Sequence, residues 1–259
     1  MSKSKISIII VNYNTEKEVE KCLNSVISQQ TTVNSLEVIV VDNASSDDSA
    51  QVLKKFPEVK LIQNEKNLGF AKANNIGAKA ATGAFLFFLN PDCEIKRDTI
   101  SKLLGLVEKS PNAIIGPKIL NPDGSLQGSC YNLPTIWGAI KEFWFNQEGS
   151  YEKFTPKTNK QVRVEAIVGA AMFMSKKTFE KLGGFDERYF LYYEDLDFCR
   201  KAKKLDIPVY YFPKASIIHG LGRAGGNIEH LKKSAAVYHG LLKYFVITFV
   251  IKISQWLKF

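Results

Sequence analysis

Three runs of apolar residues, mostly β-branched or aromatic, lie at positions 6–11, 36–41 and 84–89. Each stops abruptly at polar residues: Asn12 and Asn14, then Asp42 and Asn43, then Asn90 and Asp92. A run that stays apolar with hardly a break needs cover on both faces, the condition of a strand inside a parallel sheet. The intervals between the runs have helical character. Thr15 and Glu18 have the spacing of a capping box, which predicts a helix to about Gln29. Further on, a helix is expected near residues 48–55 and a short strand at 59–63. A turn at Asn67-Leu68-Gly69-Phe70 precedes a small-residue helix over 71–81, closed by Gly83. The order β-α-β-α-β predicts an α/β fold with a mostly parallel central sheet and helices on both faces. Ligands of such sheets collect beyond the carboxyl ends of the strands, so the polar residues that stop the runs are the first candidates for function.

The rest of the 259 residues is less regular. Asn121-Pro122-Asp123-Gly124 is a strong turn signal. Residues 121–165, with Trp137, Phe143, Trp144, Phe145 and Tyr151, are expected to form loops and short helices that cap the sheet. A second ordered block follows: a strand over 162–174, a helix over 176–182, a turn at Gly183-Gly184, a helix from about Glu194 to Lys204, and short strands at 208–212 and 216–219. The four cysteines, Cys22, Cys93, Cys130 and Cys199, form no C-x-x-C pair, which excludes a zinc ribbon or a thioredoxin motif and leaves scattered reduced thiols. The net charge of +9 is unevenly placed. The first 199 residues hold 24 basic and 24 acidic residues, and the last sixty hold 11 and 2. That layout argues against a nucleic-acid-coating surface and for a neutral domain with a basic end.

Three carboxylate clusters could carry chemistry. Asp42, at a strand end, could accept hydrogen bonds from a nucleobase imide or a ribose hydroxyl, or serve as a turn or cap residue. Asp92, with Asn90, could hold a hard divalent ion or belong to an ordinary Asn-Pro-Asp turn. Glu194, Asp195 and Asp197 stand at an expected helix start, where the helix dipole offsets their repulsion by roughly 0.3–1 kcal/mol each. Their apolar neighbours Phe190, Leu191, Tyr192, Tyr193, Leu196 and Phe198 imply partial burial, which raises a carboxylate pKa and suits a general base.

With these residues in view, the chain resembles family 2 glycosyltransferases of GT-A (Rossmann-like) fold, in a pattern similar to bacterial rhamnosyltransferases that build surface polysaccharides. The resemblance rests on residues 7–14, on Val41 to Asp47, on Asn67-Leu68-Gly69-Phe70-Ala71, on Phe88-Leu89-Asn90-Pro91-Asp92, and on Gly183 to Glu187 through Tyr193 to Asp197. These segments occur in family order and span about residues 5–220. The resemblance implies a GT-A domain over residues 1–225, with a nucleotide-sugar-binding half at 1–120 and an acceptor and catalytic half at 121–225. It implies a nucleotide pocket built from Val11, Asn12, Tyr13, Asp42, Asn43, Asn67 and Gly69. Asp92 is then the metal-binding acid, for Mg²⁺ or Mn²⁺, with Asn90 where the family's motif has a first Asp. Asp195 is the general base. Asn90, Glu194 and Arg223 face the diphosphate and sugar, and His219 is either a metal ligand or a core histidine. The implied reaction is inverting transfer from a dTDP- or UDP-sugar, with dTDP-rhamnose as one donor, to a hydroxyl of a glycan or lipid-linked acceptor. A competing reading from another class is a non-catalytic sugar-nucleotide or glycan-binding relative, favoured by Asn90 alone.

The last segment, 226–259, is expected to be a basic amphipathic helix. At 100° per residue, Leu242, Phe245, Val246, Phe249, Val250, Ile253, Trp256 and Leu257 share one face, with lysines opposite. Such a face suits an anionic membrane surface, the protein's own core or a second subunit equally. The resulting expectation is a cytoplasmic protein, peripheral on the inner face of the cell membrane, with a homodimer as the alternative use of the face. No apolar window reaches the ~18 residues of a spanning helix.

Overall fold

The computed structural model of the protein describes residues 5–31, 35–135, 152–220 and 228–240, together with residues 137, 138, 140, 145, 247 and 248. The chain alternates β1 (Ile6–Asn12), α1 (Glu16–Ile27), β2 (Leu36–Asp42), α2 (Ser49–Leu53), β3 (Val59–Gln63), α3 (Phe70–Ala80) and β4 (Phe85–Leu89), as the apolar runs predict. β5 (Cys93–Ile95), α4 (Thr99–Val107) and β6 (Ile114–Leu120) follow. Then come the short strands β7 (Leu126–Gln127), β8 (Cys130–Tyr131), β9 (Val162–Val164) and β10 (Ala166–Ile167). β11 (Ala171–Ser175), α5 (Lys176–Lys181), α6 (Glu194–Lys204), β12 (Val209–His219) and α7 (Ile228–His239) complete the described elements.

The main sheet runs β3-β2-β1-β4-β11-β6-β12-β5. β3, β2, β1 and β4 are mutually parallel, and β6 and β12 are parallel to each other. β11 is antiparallel to both β4 and β6, so β6 and β12 point the same way as β1. The carboxyl ends of β1, β2, β4 and β12 therefore share one edge of the sheet with the amino end of β11. Side-chain alternation divides the core in two. Ile6, Ile8 and Ile10 of β1 pack with Val19, Leu23, Leu53, Ile100 and Leu103 of α1, α2 and α4. Ile9 and Val11 pack with Ala71, Phe179, Phe198 and Tyr238 of α3, α5, α6 and α7. Both faces are covered, which is why the strands read as nearly unbroken apolar runs.

Several local expectations are corrected. The helix after Thr15 is not closed by a capping box. The Thr15 hydroxyl donates to Asn12 Oδ1 at 2.6 Å, which ties the helix start to β1 and leaves no side-chain cap. The expected strand over 162–174 is three strands, because the chain leaves β12, crosses to β8 through β10, and enters the main sheet as β11. The two short strands expected at 208–212 and 216–219 are one, β12, whose register on β6 shifts between Phe212 and Ser216 around Pro213. The sheet is also less uniformly parallel than the first half of the chain implies, since β11 inserts in reverse at its centre.

Candidate active site

A cavity of about 610 Å³ opens over the shared edge of the sheet. Val11, Tyr13, Asn43, Asn67 and Gly69 line it, Asn90, Asp92 and His219 stand at strand ends on its floor, and Glu194 and Asp195 line it from the start of α6. Asp42 and Asn12 are not on this surface. They face each other in the β1–β2 register and are both buried. Asp42 Oδ1 accepts from Asn12 Nδ2 at 2.8 Å and from the Ser45 hydroxyl at 2.6 Å. Asp42 is thus held by Asn12 and Ser45, and Asn43 is the residue of this strand end that lines the cavity.

Asn43 is also a brace. Its Nδ2 donates to Asn67 Oδ1 at 3.1 Å and to the Gly69 carbonyl at 3.3 Å, while its Oδ1 accepts from Asn64 Nδ2 at 2.8 Å. These bonds fix the Asn67–Gly69 turn to the end of β2. Gly69 is required by contact as well as by its φ of 84°. A Cβ there would lie 2.6 Å from the Phe190 carbonyl oxygen, which accepts from the Phe70 amide. The turn from the first half of the chain is thereby joined to the segment that leads into the acidic cluster.

That segment is strained. Tyr192 and Tyr193 adopt left-handed φ values of 70° and 68°, at about 1–3 kcal/mol each. They bring α6 in so that Glu194 and Asp195 meet the cavity. Asp195 Oδ2 accepts from the Gly169 amide at 2.8 Å, and Oδ1 accepts from the Leu196 amide at 2.8 Å. Burial raises its pKa above the usual aspartate value, while those amides and Lys153 pull the other way. Glu194 is buried, and its Oε2 has no hydrogen-bond partner among the described residues. Burial first, and the neighbouring Asp195 second, push its pKa well above the ordinary glutamate range. Asp197 is paired instead, with Arg200 and Lys201.

On the floor, Asp92 Oδ1 and His219 Nε2 are 3.3 Å apart, and Asn90 Nδ2 is 3.4 Å from the same nitrogen. Asn90 Oδ1 is buried without a partner among the described residues. An orphaned amide oxygen beside a carboxylate and an imidazole is a donor set that a hard divalent cation satisfies. Cys93 lies in the same group, but burial raises its thiol pKa, and the thiol donates to the Ala170 carbonyl at 3.5 Å. Arg223 lies outside the described residues.

Among the lining residues that sequence reading missed are Gln127, Tyr131 and Lys153. They come from the irregular middle of the chain, where no periodicity marks a face. α7 supplies Leu231 to the rim and is held down by His230 stacked on Phe190 at 4.4 Å, and by the Ser234 hydroxyl donating to the Leu191 carbonyl at 2.7 Å. No described helix is long and apolar enough to cross a membrane.

Comparison with known proteins fits this geometry. The profile described as glycosyl transferase family 2 matches residues 7–183, and the N-terminal domain of galactosyltransferase matches residues 150–222. The low-salt glycan biosynthesis hexosyltransferase Agl10 of Haloferax volcanii is 30% identical over 218 residues, 83% of this chain and 66% of that protein. The N-acetylglucosaminyl-diphospho-decaprenol L-rhamnosyltransferase of Mycobacterium tuberculosis is 26% identical over 244 residues, 86% of this chain and 78% of that protein. The crystal structure of GalNAc-T7 with UDP, GalNAc and Mn²⁺ superposes with a TM-score of 0.72 at 20% identity. The match covers 94% of this chain and 49% of that one, so the chain spans about half of the solved protein.

Proposed function

The chain belongs to glycosyltransferase family 2, and from that premise we propose that it transfers a sugar, with inversion, from a nucleoside-diphosphate donor to a hydroxyl of a glycan or lipid-linked acceptor. The observation that carries this reading is that Asp195 and Asp92 line one and the same cavity. A base and a diphosphate-binding carboxylate that share a cavity can serve an acceptor and a donor held there together.

In the proposed mechanism, Val11, Tyr13, Asn43, Asn67 and Gly69 bind the nucleoside, braced by Asp42 and Asn12. Asp92 and His219, with Asn90 beside them, would hold a divalent cation, which when bound neutralises charge on the diphosphate. Asp195 takes the proton of the acceptor hydroxyl. The oxygen attacks the anomeric carbon as the bond to the diphosphate breaks on the opposite face. The raised pKa of Asp195 brings its basicity closer to neutral pH, where proton transfer is effective. No second acid is needed, because the nucleoside diphosphate leaves as an anion. Glu194, whose proton burial holds more tightly, can donate a hydrogen bond to the sugar or the acceptor when it carries that proton. The names of the relatives make a dTDP- or UDP-hexose the first donors to assay, dTDP-rhamnose among them.

The decisive experiment replaces Asp195 by Asn. Transfer is expected to fall by about 10²–10⁴-fold, the usual worth of a positioned base, while nucleotide binding persists in calorimetry. Undiminished transfer by this variant removes Asp195 from the role.

A further inference from the structure

We propose that Gln127 is a positioning residue, which fixes the imidazole of His219 so that Nε2 rather than Nδ1 presents its lone pair to the Asp92 floor, and that the hairpin turn at Asn121–Ser125 locks Gln127 in that orientation. The proposal rests on the reading of Asp92 and His219 as a cation site.

The polarity of the hydrogen bonds carries it. His219 Nδ1 lies 2.7 Å from Gln127 Oε1. Gln127 reaches it from β7 across the end of β6, since Leu120 pairs with both Leu126 and Ile218. Which end of the Gln127 amide faces the ring is decided by its other contacts. Gln127 Nε2 lies 3.3 Å from the His219 carbonyl, a group that can only accept. The same nitrogen lies 2.8 Å from Asn121 Oδ1. The Asn121 amide is oriented in turn by its Nδ2, which donates to the Ser125 hydroxyl at 2.9 Å, and that hydroxyl spends its proton on Asp123 Oδ1 at 2.6 Å. Asp123 is fully exposed, and the Ser125 hydroxyl and amide lower its pKa, so it stays an ionised acceptor.

The chain of donors therefore runs one way: from Asn121 to Ser125 and Asp123, and from Gln127 to Asn121 and the His219 carbonyl. Gln127 Oε1 is left to accept, and His219 Nδ1 must donate to it. In the neutral ring the remaining lone pair is on Nε2, the atom 3.3 Å from Asp92 Oδ1. Asn90 Nδ2, 3.4 Å away, can donate to that lone pair, and beside Asp92 Oδ1 the same lone pair is open to a cation; a ligand whose ring is fixed by a hydrogen-bond partner binds a cation more tightly than a free one. The Asn-Pro-Asp-Gly turn, singled out in the sequence without a role, thereby acquires one.

The test uses the full chain and Mn²⁺ alone. Binding is read by electron paramagnetic resonance of the free ion, and the ring is read by ¹⁵N NMR of His219 in metal-free protein. Wild type is expected to show Nδ1 protonated and Nε2 bare. Gln127→Leu is expected to give a mixture of tautomers and about 10–100-fold weaker Mn²⁺ binding. Gln127→Glu keeps the acceptor and is expected to bind at least as tightly as wild type. Should Gln127→Leu fail to fold, Asn121→Ala removes the shorter of the two contacts that orient the Gln127 amide and is expected to show the same two changes in smaller measure. Unaltered affinity and tautomer in the folded variant overturn the assignment of Gln127 alone. His219→Ala with wild-type Mn²⁺ affinity overturns the cation site itself.

Discussion

Glu194, Asp195 and Asp197 lie within four residues, yet the fold gives them three different surroundings. Asp197 is neutralised by Arg200 and Lys201. Asp195 is half-buried and supported by two amides. Glu194 is buried with one oxygen unsatisfied among the described residues. Their adjacency at a helix start was legible in the sequence, and the family resemblance singled out Asp195, but the amide that meets its carboxylate, from Gly169, 26 residues away, was not. Two predictions follow at this scale. The acid limb of the rate profile is expected above the ordinary aspartate range, because Asp195 must lose its proton to act and burial raises its pKa; Lys153→Ala is expected to move that limb higher still, by removing a cation that favours the ionised form. Glu194 carries its proton more tightly folded than unfolded. It therefore lowers stability progressively as pH rises from the unfolded pKa to the folded one. Glu194→Gln has no such dependence, so its thermal midpoint is expected to exceed wild type by a margin that grows from acid to neutral pH in calorimetric scans.

Among the elements, the turn at Asn67–Gly69 and helix α7 show how parts distant in sequence build one wall. The turn signal and the glycine were readable directly. That the glycine is demanded by Phe190 was not, since the contact spans 121 residues. Gly69→Ala forces a Cβ against the Phe190 backbone at a left-handed φ. It is expected to cost about 1–3 kcal/mol in urea unfolding and to loosen nucleotide binding with it. α7 was expected as part of a separate amphipathic segment, but Ser234, Ala235 and Tyr238 are buried against the domain. Tyr238 lies under the Arg200 guanidinium, 4.0 Å from its ring centroid, and its carbonyl accepts from Arg200. Tyr238→Ala is expected to cost about 3–5 kcal/mol and to raise hydrogen exchange through residues 228–239.

Across the whole molecule, a ten-stranded sheet joins the two expected halves, with β11 between β4 and β6. The surplus of nine positive charges lies in the last sixty residues, of which 240–259 fall almost entirely outside the described ones. Ile247, one of the two described residues beyond Gly240, is 4% exposed. Removing residues 240–259 is therefore expected to lower the thermal midpoint. Binding to anionic liposomes that disappears on removal, with the midpoint unchanged, would assign the segment to a lipid surface instead. The sequence by itself determined the layered α/β character, the edge where function gathers and the acids that stand there, because two-sided burial and strand-end polarity are local patterns. Tertiary structure alone decided that Asp42 bonds to Asn12, that Asp195 is supported by Gly169, and that Gln127 meets His219, because each depends on contacts between residues that neither periodicity nor spacing connects.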